Sequence, residues 1–328
     1  MIACGNGQSK PSGPQLVLYS THGREQIEPV VERFRVAHPE ITVEWRQYST
    51  VDLFNAVRVN KDSPQADVWW GGPHTTFMQA ESDGLLATYR PTWADQVGDA
   101  ARSPNDKWYG NYRMPECIMY NANVLAPDEA PQEWDDLITP EWKDRIVIRE
   151  PSKSGTMKAI FGAMVWRFYK DTQSADEGMA WLAKLHENVA VYAPDPRAMY
   201  QMLNTKETPV TVWNMVDAHI QTEKNGFNFK AILPESGVPV LVEGIAIIEG
   251  APNRKEAEIF YEWVTSREEL LHQAEQFARI PARLDIEQSA LPQWMQEQTI
   301  NAMEIDPAIY QPLEQPWMDR FREEIQTK

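Results

Sequence analysis

An apolar run of strand length, a polar turn and an amphipathic helix follow one another repeatedly along this chain, and few architectures accept that order. The clearest instance starts at Ile146-Val147-Ile148, passes through Pro151-Ser152-Lys153-Ser154-Gly155-Thr156 and continues with Met157, Ile160, Phe161, Met164, Val165 and Phe168. The last set falls at the i, i+3, i+4, i+7 spacing of one helix face, so the residues before it form a strand-to-helix turn. Ser152 or Ser154 suits the N-cap, and Gly155 lets the backbone approach a ligand. Free N–H groups and the positive end of the helix dipole favour an anion at such a turn, and Lys153 adds a charge. A capped helix start with nothing bound has the same signature.

Three such units open the chain. Leu16–Tyr19, Ile41–Trp45 and Asp67–Trp70 read as strands. Each leads through a polar turn (Ser20–Gly23, Ser49-Thr50, Gly71–Thr76) into a helix. That order predicts a parallel sheet with helices on its faces and ligands at the carboxyl ends of the strands. Trp108–Pro115 breaks the rhythm, with a strand at Cys117–Tyr120, and marks the crossing into a second lobe. There, Ala190–Tyr192 leads through Ala193–Arg197 into a helix, and Pro209–Trp213 leads through Asn214–Asp217 into a helix ending at Gly226. Phe229–Leu233, Val238–Val242 and Ile245–Ile248 read as three strands, with Glu243-Gly244 as punctuation. Glu256–Thr265 reads as a helix, and the chain from Ile286 onward reads as mostly helical. The expected organisation is a tether over 1–14, lobe one over 15–113 with 243–280, lobe two over 114–242, and a C-terminal helical segment over 281–328 packing on the lobes.

A chain of 328 residues can carry two cores, and no apolar run is long enough to span a bilayer. The formal net charge of −17 argues against nucleic acid and anionic lipid as partners, although a local pocket can still be positive. Two cysteines are too few for a disulfide framework, and no Cys/His spacing suggests zinc, so neither a metal nor a cofactor is expected. Cys4 follows Ile2-Ala3 and precedes a Gly/Ser/Pro-rich stretch, the pattern at the end of a bacterial lipoprotein signal peptide. The expectation is a monomer that meets the membrane through a lipid on Cys4.

The turns nominate site residues. From lobe one come Thr21, His22, Thr50, Trp70 and Gly71; from lobe two come Ser154, Gly155, Thr156, Asp195, Asn214 and Asp217. Hydroxyls and helix starts suit a phosphate, phosphonate, sulfonate or carboxylate. Trp69 and Trp70 face opposite sides of their strand, so Trp69 is expected in the core and Trp70 against a ligand. Asp217 and Glu243 can receive an amine or guanidinium of the ligand, or can cap adjacent backbone.

The stretches LVLYSTHG (16–23), ADVWWGGPHTTFMQAESDGLLATYRP (66–91), WDDLITPEWKDRIVIREPSKSGT (134–156) and EGIAIIEGAP (243–252) resemble bacterial extracellular solute-binding proteins of ABC importers. The likeness is to the branch that takes iron(III), thiamine, phosphonates and sugar phosphates, and it covers roughly residues 15 to 280. It implies the two-lobed periplasmic-binding-protein fold of type II, each lobe a mostly parallel sheet flanked by helices, with the ligand cleft at the hinge. It also implies a periplasmic or extracytoplasmic location and delivery of a small anionic solute to a permease in the inner membrane, without chemistry on the solute. Ferric members of that branch place two tyrosines after the strand matching Val210–Trp213, where this chain has Asn214-Met215, and a Glu where it has Gly71-Gly72. His22 matches their histidine, so ferric iron is the alternative solute and a small organic anion the leading one. The competing class is a two-lobed enzyme with Cys117 as nucleophile, against which stand its neighbour Glu116, which would raise a thiol pKa, and the absence of a triad spacing.

Overall fold

The computed structural model describes residues 13–327. Cys4 and most of the expected tether lie outside the described residues. In chain order the elements are β1 (Gln15–Ser20), α1 (Arg24–Ala37), β2 (Thr42–Gln47), α2 (Thr50–Val59), β3 (Val68–Pro73) and α3 (His74–Ser82). There follow β4 (Tyr109–Asn121), β5 (Ile146–Arg149), α4 (Gly155–Thr172), α5 (Asp176–Asn188), β6 (Val189–Ala193), α6 (Pro196–Leu203), β7 (Val210–Asn214) and α7 (Met215–Asn225). Then come β8 (Phe229–Ile232), β9 (Val240–Ile247), α8 (Arg254–Val264) and α9 (Arg267–Phe277), and a last long helix spans Pro307–Phe321.

These elements form two compact units. The first comprises the chain up to Tyr112 with Glu243–Gln273 and Pro281–Ile286; the second comprises Arg113–Val242, Ala274–Ile280 and the chain from Glu287. In the first unit β1 pairs in parallel with β2 and with β3, and β3 pairs antiparallel with β9. Helix α1 buries Ile27, Val30, Val31 and Phe34, the face its spacing predicts. On the other side Leu53, Val57, Trp69, Phe77 and Trp108 close a second cluster.

In the second unit β5 pairs in parallel with β6 and with β7, whereas β4 pairs antiparallel with β7 and with β8. The amphipathic face of α4 packs into a core that includes Ile118, Trp134, Ile148, Leu182 and Val212. Helix α4 ends at Gln173 in the left-handed conformation, and α7 ends at Gly226, also left-handed.

Three expectations are corrected. The strand expected at 117–120 belongs to one strand from Tyr109 to Asn121, and the two expected around Glu243-Gly244 are the single strand β9. Both are the points where the chain passes from one unit to the other, so pairing with distant strands carries them through Pro115 and Gly244 despite the local breakers. The segment expected as one helical block over 281–328 is divided. Residues 281–286 join the first unit, and from 287 to 306 the chain forms only a 3-10 turn at Gln288–Ala290 and a single α-helical turn at Gln293–Gln296 before the helix at Pro307, which Asp306 caps. Pro292 and the lack of a sustained apolar period keep that stretch irregular.

Candidate functional site

In the first unit the carboxyl ends of β1, β2 and β3 lie along one sheet edge because the strands are parallel and in register. Gly71 and Gly72 leave β3 with φ of +94° and +103°, values that side chains rarely adopt. A Cβ on Gly71 would sit 2.6 Å from His22 Cε1 and 2.7 Å from Thr21 Oγ1; one on Gly72 would sit 3.6 Å from Thr21 Cγ2 and 3.7 Å from Thr50 Cγ2. Thr21, His22, Thr50 and Gly71 are therefore brought together. Helices α1 and α3 start at Gly23 and Pro73, neither of which caps its helix with a side chain.

His22 is buried and held at both ring nitrogens: Nδ1 lies 3.1 Å from Ser20 Oγ and Nε2 lies 3.0 Å from Glu243 Oε2. Glu243 thus secures His22 rather than standing open as the amine receptor considered from the sequence. Trp70 is 0% exposed, with its ring 4.3 Å from that of His22 and 6.1 Å from that of Phe260. Its indole N–H donates to the side-chain oxygen of Asn111 at 2.9 Å, while the Asn111 amide nitrogen donates to the Glu243 carbonyl at 2.7 Å. Alternation places Trp70 opposite Trp69, but α8 covers that face, so both tryptophans pack and Trp70 offers no open face to a ligand.

In the second unit, α6, α4 and α7 start where the parallel strands β6, β5 and β7 end, again along one edge. Each start is capped by a nominated residue. Ser154 Oγ accepts from Met157 N–H at 3.2 Å, Asp195 Oδ1 from Ala198 N–H at 2.8 Å, and Asn214 Oδ1 from Asp217 N–H at 2.8 Å. Gly155 is exposed, with no atom within 4 Å of the position a Cβ would take, and Thr156 beside it is half-buried. Arg149, the last residue of β5, is 8% exposed; its guanidinium donates to the Ala193 carbonyl at 3.2 Å and the Lys153 carbonyl at 3.5 Å. It forms no ion pair among the described residues. A buried cation without a counter-ion beside the first turn of an 18-residue helix concentrates positive potential there.

The start of α7 is acidic. Asp217 Oδ2 accepts from Tyr200 Oη at 2.7 Å, Trp213 Nε1 at 2.7 Å and Asn214 Nδ2 at 3.2 Å. Across the strand pair, Glu116 stands opposite Asn214, is 0% exposed, and among the described residues has no hydrogen-bond partner on either carboxylate oxygen. Burial, and then the facing Asp217, raise the Glu116 pKa well above the carboxylate range. Burial, Glu116 and Asp217 likewise push the Cys117 thiol up, which keeps it protonated and unsuited to nucleophilic attack. Among the described residues, no group of three His, Cys, Asp or Glu side chains is placed to hold a metal ion.

Arg149 and Glu116 were not nominated from the sequence. The signal was a charged residue closing the apolar run Ile146–Ile148 and an acid preceding the apolar run Cys117–Tyr120. A charge at the end of a buried strand has to be explained by what it meets there.

The fold is that of known binding proteins. The periplasmic binding protein AfuA from Actinobacillus pleuropneumoniae, solved with exogenous fructose-6-phosphate bound, is 22% identical with a TM-score of 0.77, covering 97% of this chain and 100% of that one. The ferric binding protein from Campylobacter jejuni is 19% identical with a TM-score of 0.79, covering 94% and 98%. In sequence, the probable ABC transporter periplasmic-binding protein y4fP of Sinorhizobium fredii (strain NBRC 101917 / NGR234) is 22% identical over 311 residues, 94% of this chain and 86% of that protein. The profile of the family described as bacterial extracellular solute-binding protein matches residues 30–302. The chain therefore belongs to the bacterial extracellular solute-binding proteins, which hold a solute outside the cytoplasm.

Proposed function

We propose that this protein is the solute-binding component of an ABC importer, that its solute is a small organic anion, and that it passes the solute unchanged to a membrane permease. The observation that carries the anion is Arg149, buried beside the start of α4 with no ion pair among the described residues. The main-chain N–H groups of Gly155 and Thr156 and the Thr156 hydroxyl complete a donor set for a phosphate, phosphonate, sulfonate or carboxylate. The importer role is supported by the relative named as an ABC transporter periplasmic-binding protein, and the phosphate class by AfuA.

Isothermal calorimetry against sugar phosphates, phosphonates, sulfonates, carboxylates and iron(III) tests this reading. An anion is expected to bind, with Thr156→Val weakening it several-fold and Arg149→Met by roughly 10- to 100-fold, the value of one charge-assisted hydrogen bond. Tight iron(III) binding with no response to any anion would overturn it. The absence of chemistry has its own check: the bound solute should be recovered unaltered by mass spectrometry after prolonged incubation, and a product that Cys117→Ala fails to form would establish an enzyme.

A further inference from the structure

We infer that Glu116 and Asp217 bind a protonated nitrogen of the solute, so that the transported anion is an aminated one. The inference rests on the reading above and deepens it, but it is carried by a different observation. Glu116 is fully buried, yet neither of its oxygens meets a donor among the described residues. Such a group is costly to leave unmade, and native folds keep one where something else fills it. Asp217, half-buried, has an acceptor left over. Three donors converge on Oδ2, whereas Oδ1 takes none among the described residues. The strand register sets the Glu116 side chain on the same face as that of Asn214, which itself bonds Asp217, so the two acids share one neighbourhood.

The surroundings suit an ammonium group. Trp213 and Tyr200 are nearly buried, and both direct their polar ends to Asp217, presenting aromatic surface beside the acids. Asp217 on α7 acts on Glu116, and both acids act on Cys117 beside it; Tyr200 on α6 donates to Asp217, and burial and Asp217 raise the Tyr200 pKa, so its hydroxyl stays a donor. Burial and Asp217 also raise the Glu116 pKa well above the carboxylate range, which favours its protonated form. An arriving ammonium supplies the missing hydrogen bonds and offsets the repulsion between the carboxylates, and the Glu116 proton then leaves to solvent. Affinity for the aminated solute accordingly rises with pH.

The test uses matched pairs: an aminoalkyl phosphate, phosphonate, sulfonate and carboxylate, each beside its isostere with methyl in place of ammonium, together with a plain alkylammonium. In the wild type the aminated member of a pair is expected to bind at least about tenfold more tightly. Calorimetry in buffers of differing ionisation enthalpy is expected to show release of about one proton. In Glu116→Gln, with its fold checked by circular dichroism, the preference is expected to fall to near unity. Equal binding of both members, no proton release in the wild type, or a preference that survives Glu116→Gln would each overturn the inference. Isosteres that bind without amine preference sink it while leaving the anion reading intact. Alkylammonium binding that depends on Glu116, with no anion bound, supports it while removing the anion reading.

Discussion

Glu269 shows what a buried acid costs when it has only half a partner. It is 1% exposed; Oε2 meets Arg33 Nε at 2.9 Å, and Oε1 meets nothing. Burial pushes its pKa up to about 7, with Arg33 pulling the other way. The folded state therefore holds a proton that the unfolded chain releases in the ordinary carboxylate range. Stability from this residue is full below the unfolded pKa and is lost as pH rises to about 7, after which the curve flattens. Glu269→Gln is expected to remove that decline, so variant and wild type should differ little near pH 4 and diverge progressively toward pH 7 in urea titrations. A constant difference across that window would show that Glu269 is ionised throughout. Glu116 differs in kind, because burial and then the acid Asp217 both raise its pKa.

At the scale of elements, helix α4 is held by what its glycine leaves out. A Cβ on Gly162 would lie 2.1 Å from Tyr310 Oη, so the helix Pro307–Phe321 can seat its tyrosine against α4 only because that side chain is missing. Gly162→Ala ought to gain about 1 kcal/mol of helix propensity, but overpacking at a close contact costs about 1–3 kcal/mol. A lowered melting temperature is expected, partly restored by adding Tyr310→Phe, and a raised one would mean that the tyrosine moves aside freely. The order of strand, turn and helix was legible in the sequence because it is local: Ile27, Val30, Val31 and Phe34 announce a buried face without reference to anything distant. The caps at Ser154, Asp195 and Asn214 were legible for the same reason. What stayed hidden depends on partners far along the chain. Trp70 is covered by Phe260, β9 runs through Glu243-Gly244 because β3 pairs with it, and Arg149 gains its meaning from the carbonyl of Ala193. Periodicity reports which face is buried, but not what covers it.

For the whole molecule, the formal net charge of −17 sets a field that any anionic solute must cross before a local site can hold it. The far field repels, whereas Arg149 and the start of α4 attract over a few ångströms, and salt separates the two by range. At about 0.1 M ionic strength the Debye length is roughly 10 Å, so the distributed charge is screened while the contacts of a bound anion are much less affected. Association of an anionic solute, followed by the fluorescence of the 13 tryptophans in stopped flow, is therefore expected to accelerate as salt is added, while dissociation changes little. A solute whose ammonium cancels its anionic charge should associate at a rate nearly independent of salt. The two slopes thus distinguish the charge of the true solute without a structure of the complex. An association rate that falls with salt for a simple anion would mean that the local positive site governs the approach as well as the hold, and that the acidic surface lies away from the path of entry.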